Sequence, residues 1–140
     1  MRKLTMPSIS SPNTILIEVQ GDVLKRMGKR AEAYVQFASF NPSVLGFVKA
    51  GSNVIYVNEI PYSRVAIDSE KSHDYLYVVI LHEYLHLIGI ADEREVRKIT
   101  LEMVGSKFGE NSNAFSFSKM LTFPEDVKIM ENRKYFSHYM

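Results

Sequence analysis

Residues 75–91 read YLYVVILHEYLHLIGIA, and this stretch decides what the chain can be. It is apolar almost all the way round, which predicts a buried helix rather than a surface one. Tyrosine hydroxyls apart, only His82, Glu83 and His86 interrupt it. A carboxylate and two imidazoles inside such a helix cost several kcal/mol unless each has a partner. One metal ion would satisfy all three. Residues four apart share a helix face with Cβ atoms ~5–6 Å apart, so His82 and His86 can grip one ion through their ring nitrogens. Glu83 sits about 100° further round the helix and can reach a metal-bound water instead. This is the HExxH arrangement of two zinc ligands and a general base. The competing reading, two core histidines bonded to backbone or carboxylates, needs three independent partners where one cation suffices.

Working outward, Gly89 ends this helix and Asp92 opens another, with Glu95 at capping-box spacing and Val96, Ile99, Met103 and Val104 as its apolar stripe to Phe108-Gly109. On the N-terminal side, Ser72 or Asp74 caps the buried helix, and residues 61 to 72 read as a polar loop. Val44 to Lys49 and Val54 to Glu59 read as strands around the hairpin signal Ala50-Gly51-Ser52-Asn53. Thr14 to Gln20 (TILIEVQ) reads as a further strand. Gly21-Asp22 then starts a helical pattern running through Tyr34 and Val35 to Ala38, with Asp22 as its cap. Residues 1–13 read as a loose arm, 110 to 123 show no clear period, and Pro124 opens a short terminal helix. The order β-α-β-β-α-α predicts a single α+β domain over 1–140: a short, mostly antiparallel sheet, the buried HExxH helix and a following acidic helix.

Composition narrows the chemistry. The chain has 140 residues, enough for one core, and no cysteine, which excludes disulfide scaffolds, thiolate zinc sites and thiol nucleophiles. No apolar run approaches the ~20 residues that cross a bilayer. The N-terminus has no apolar stretch behind its two basic residues, which argues against a secretory signal and for a cytoplasmic protein. A net charge of +1 gives no global pull towards nucleic acid or acidic membranes. The cluster KRMGKR at 25–30 reads as the solvated face of a helix.

His82-Glu83-Tyr84-Leu85-His86 followed by Leu87-Ile88-Gly89 resembles the active-site helix of the zincin metallopeptidases. With the small size and the acidic stretch DEREVRKI, the chain is most similar to the minigluzincins, minimal gluzincin-like zinc peptidases. The resemblance is specific over 74 to 100 and suggestive over 44 to 59. It implies a Zn2+ cofactor, a peptide or protein substrate, and a third protein ligand on a following helix. If the chain reverses at Gly89, a rise of about 1.5 Å per residue brings position 95 back to the level of His86. Glu95 is therefore the expected third ligand, Asp92 the alternative, and Glu93 and Glu102 rank below both. Glu83 would take a proton from the metal-bound water and deliver it to the leaving amine. Tyr62, Arg64, His73 and Tyr84 are available to stabilise an oxyanion, and sequence does not choose among them.

The resemblance further implies that substrate lies extended along an edge strand, for which Val54, Tyr56 and Asn58 are the candidates. The aromatic-rich segment 111–140 either packs on the core or, as in the latency of minimal zincins, occupies the cleft as an inhibitory segment. Two other readings stand beside the peptidase. One is a metal-dependent endoribonuclease resembling ribosomal-RNA maturation factors, suggested by His86, Gly89 and Asp92. The other is a non-catalytic zinc-binding module. Peptide deformylases share HExxH but need a cysteine ligand that is missing here.

Overall fold

In the computed structural model, which describes residues 11–119, the chain opens with a helix rather than a strand. This helix, α1 (Pro12–Met27), begins where the Ser11 side chain accepts a hydrogen bond from the Asn13 N–H and Pro12 takes the first turn. Its buried residues, Ile15, Leu16, Val19, Gln20 and Val23, recur at helical spacing, so TILIEVQ forms an apolar helix face and not a strand. Asp22 is accordingly inside α1, not at its start, and accepts a hydrogen bond from Tyr77. Gly28 ends α1 in the left-handed conformation (φ 69°). The arm expected over 1–13 therefore yields its last residues to this helix, and residues 1–10 lie outside those described.

Three strands follow: β1 (Tyr34–Ala38), β2 (Gly46–Val48) and β3 (Val54–Asn58). Val35 and Ala38 thus belong to a strand, not to a long second helix. The β2–β3 hairpin forms where the Gly51 signal placed it, pairing Gly46 with Val57 and Val48 with Ile55 in antiparallel register. Sheet order is β1-β3-β2, with β1 parallel to β3, so the sheet is mixed and β3 runs down its middle. Ile55 and Val57 point inward and are fully buried.

The loop expected at 61 to 72 is largely helical: α2 spans Glu59–Val65 and α3 spans Ser69–Leu87. Asp68, four residues before the earliest expected cap, accepts from the Glu70 and Lys71 N–H groups. Every residue of α3 from Asp74 to Leu85 is buried, as an all-round apolar helix requires. It packs against α1, α2, β2, β3 and the next helix, α4 (Glu93–Phe108). Asp92 caps α4 through the Arg94 N–H, as its spacing indicated. Residues 113–119 form a further helix, α5, whose Phe117 ring packs edge-on against Tyr75. The terminal helix expected from Pro124, and residues 120–140 of the segment expected to be inhibitory, fall outside the described residues. No helix among the described residues is long and apolar enough to cross a membrane.

Near the start of α3 a polar clasp ties three helices together. His73 faces Glu18 of α1 and Asp74, both at 3.1 Å. Lys107 of α4 lies 3.0 Å from Glu18 and 2.9 Å from Asp22. Partial burial disfavours the His73 cation, but the Asp74 and Glu18 hydrogen bonds and charges outweigh it and raise its pKa. A raised folded pKa adds stability below the unfolded value, which disappears as pH rises through the folded one. The thermal stability gap between wild type and His73→Gln is therefore expected to be widest below the ordinary histidine value of 6.5 and to narrow as pH rises above it. Melting curves on both sides of that value check it; a gap that does not change with pH would contradict it.

Candidate metal centre

The C-terminal half of α3 brings His82 and His86 to one face, as their four-residue spacing demands, with ring centroids 5.2 Å apart. The chain then turns sharply. Ile90 N–H bonds back to the Leu85 carbonyl, and Gly89 takes φ 115°, a conformation that disfavours any side chain. The same turn puts the Ile90 carbonyl 2.9 Å from His86 Nδ1. That bond fixes the His86 ring and leaves Nε2 as its available donor atom.

The tight turn also decides which acid arrives. Glu93, the first residue of α4, faces both rings: Oε2 is 2.6 Å from His82 Nε2 and Oε1 is 2.7 Å from His86 Nε2. Glu95 and Asp92 are exposed. Of the acids considered, the structure brings Glu93 to the two imidazoles, and not the expected Glu95 or the alternative Asp92. Comparing heights along antiparallel helices ignored azimuth: Glu95 is about 200° round α4 from Glu93. The signal was present in the sequence, because Glu93 extends the stripe of Val96, Thr100 and Val104 by one turn, and those three are buried.

Behind Glu93 stands a residue that the sequence reading did not single out. Arg97, one turn on and only 4% exposed, brings Nη1 to 3.3 Å from Glu93 Oε2. Burial works against ionised Glu93, but the hydrogen bonds and charges of His82 and His86 hold its carboxyl well below the usual range. For His82, burial disfavours the cation, while the Glu93 hydrogen bond and the charges of Glu83 and Glu93 outweigh it and raise the pKa. Arg97 opposes that rise. His82 Nδ1 is buried with no hydrogen-bond partner among the described residues.

His82, His86 and Glu93 are the one set of His and acidic residues among those described whose ligand atoms converge, all within 4.8 Å of one another. Two imidazoles and a carboxylate are a donor set that suits Zn2+, with a fourth position left over. The separations of 2.6 and 2.7 Å are those of hydrogen bonds. Ligands each about 2.0–2.1 Å from one tetrahedral ion stand further apart, roughly 3.3 Å, so Glu93 must draw back slightly to admit one.

Glu83 is next to His82, buried to 5% exposure, on the side of α3 that meets β2. A Cβ on Gly46 would lie 3.0 Å from Val79 Cγ1, 3.3 Å from Glu83 Cγ and 2.9 Å from the Tyr56 carbonyl. Only glycine lets β2 pass this close over the helix. The strand named for substrate, β3, is in contrast the middle one, with both edges paired. Val54 and Tyr56 therefore cannot offer backbone to a peptide. Asn58 is fully buried, donating to the Phe40, Asn41 and Val44 carbonyls and accepting from Ile60 N–H. Chain order does not reveal which strand of three lies inside, and that is why the assignment failed. Two of the four groups considered for an oxyanion are committed elsewhere. Tyr84 OH accepts from Ala31 N–H and donates to its carbonyl, and His73 belongs to the α1–α3 clasp.

Comparison of the chain with protein-family models, with curated proteins and with solved structures finds no match to any of them.

Proposed function

We propose that this chain is a zinc-dependent peptidase. The observation that carries the reading is the convergence of His82, His86 and Glu93 on one point, with buried Glu83 adjacent and the edge strand β2 beside it. His82 and His86 through Nε2 and Glu93 through its carboxylate would hold the ion. When bound, zinc supplies a water of lowered pKa and a Lewis acid for the scissile carbonyl. Glu83 is the proton carrier: its carboxylate takes a proton from the attacking water and returns it to the departing amine. Burial keeps bulk water from competing for that proton.

The substrate strand is reassigned to β2. Asn58 N–H bonds to the Leu45 carbonyl, so the antiparallel alternation turns the Gly46 and Val48 amides and carbonyls away from β3, to the edge of the sheet. An extended peptide could add there by backbone hydrogen bonds. β1, the opposite edge, packs against α1 instead. Next to β2 opens a cavity of about 260 Å³ lined by Leu45, Val78, Val79, Tyr75 and Phe117, with Arg64 at its side. Val79 is one turn before Glu83, so an apolar substrate side chain entering this cavity would lie close to the reacting bond.

The test is hydrolysis of casein and of a quenched peptide library by zinc-loaded protein. Glu83→Gln should retain one zinc per chain and lose about 10²–10⁴-fold in kcat/KM, the usual worth of a positioned acid–base group. Zinc-loaded Glu83→Gln cleaving at the wild-type rate would overturn the mechanism.

A further inference from the structure

We infer that Arg97 is a positioning residue for the metal centre: its charge draws Glu93 off the two imidazoles and holds it where an ion can enter. The inference rests on His82, His86 and Glu93 being the metal ligands. Arg97 is buried on a helix whose neighbouring cations, Arg94 and Lys98, are exposed. Taking a guanidinium out of water is costly unless its partner needs it there. One partner is Glu93 Oε2, which Arg97 Nη1 approaches at 3.3 Å while His82 Nε2 holds the same oxygen at 2.6 Å.

The two distances describe an unequal contest. The Arg97 contact is long for a charge-assisted hydrogen bond, which is normally about 2.7–2.9 Å, whereas the imidazole contact is already short. Glu93 therefore has about 0.5 Å of slack on the Arg97 side. Glu93 sits at the first position of α4 with Arg97 at the i+4 position, so the two side chains share one face of the helix. An ion held by both imidazoles takes the place of both Glu93 hydrogen bonds, and the guanidinium offers the displaced carboxylate a charged partner. The Glu93 charge also offsets the repulsion between Arg97 and a bound cation. Without the guanidinium charge, an incoming ion breaks both imidazole contacts with less to compensate it.

Two variants of similar length separate charge from bulk. Arg97→Lys keeps the charge and gives up the planar fork; Arg97→Gln keeps a donor and gives up the charge. Zinc affinity is read by competition with a chromogenic chelator, and the centre by the visible spectrum of the cobalt-substituted protein. Arg97→Gln should bind zinc about 10–100-fold more weakly, the range for loss of an outer partner. Its cobalt spectrum should also change as Glu93 takes a different hold on the ion, while Arg97→Lys stays near wild type in both readouts. Wild-type affinity and spectrum in Arg97→Gln would overturn the inference, and so would an equal loss in both variants, which would mark Arg97 as packing alone. Neither readout uses hydrolysis. A zinc-binding protein without peptidase activity would thus defeat the catalytic proposal and leave this one standing.

Discussion

Glu93→Ala is expected to weaken zinc binding by well over the 10–100-fold typical of an outer partner, because it removes one of the three proposed ligands. Glu95→Ala and Asp92→Ala should bind zinc almost as wild type does. Both of those acids are exposed, and Asp92 only caps α4, a loss that costs about 1 kcal/mol of stability. Calorimetric titration with zinc checks the ranking, and a loss confined to Glu95→Ala would restore the ligand that sequence alone favoured. Thermal melts read the same difference: at about 100 times its Kd, zinc should stabilise the wild type by about 2.7 kcal/mol. The same zinc should add almost nothing to Glu93→Ala. The metal-free protein carries a second signature. Because the folded Glu93 pKa is depressed, its contribution is present above its ordinary value of 4.5 and is lost as pH falls towards the depressed one. Glu93→Gln should flatten that acid limb of stability and reduce the share of the alkaline limb that the raised His82 pKa supplies, while leaving the His73 share in place.

The features that could be read from sequence are those where one segment dictates its own surroundings. An unbroken apolar run leaves α3 no solvent face, Asp92 and Gly89 mark helix ends by backbone chemistry, and Gly51 marks the hairpin. His82 and His86 meet because a single helix sets their spacing. The failures arose where the answer depends on a partner distant in sequence. TILIEVQ is β-branched and apolar enough to suit a strand, and only the Ser11-Pro12 start and the spacing of Ile15, Leu16, Val19 and Val23 speak for a helix. YVQFA was absorbed into a helical pattern because its pairing with β3 lies 20 residues ahead. The third ligand needed the phase of α4 as well as its length. Arg97 left no mark that separates it from the exposed arginine and lysine beside it until Glu93 was seen beneath it.

Asn58 allows a structural role to be separated from a substrate role by experiment, with a large effect expected. Its Nδ2 lies 3.1, 3.0 and 2.9 Å from the carbonyls of Phe40, Asn41 and Val44, and Oδ1 accepts from Ile60 N–H at 3.1 Å. One side chain thus ends β3, caps α2 and anchors the 40–44 loop that leads into the edge strand. Each buried polar group left without a partner costs about 1–3 kcal/mol. Asn41 and Ser43 are exposed, so water can recover part of this, and Asn58→Ala should lose about 3 kcal/mol, or roughly 10 °C in Tm for a domain of this size. Asn58→Asp should be worse than alanine, because it replaces the donors with a charge facing three carbonyl oxygens. Zinc affinity of the folded fraction should stay at the wild-type value in Asn58→Ala, since no ligand contacts this residue. A substrate-binding role makes the opposite forecast: an unchanged Tm and a raised KM. Melting curves of the two variants, run beside their zinc titrations, decide between them. If the aspartate proved as stable as wild type, Asn58 would not be the clasp that its five side-chain hydrogen bonds describe.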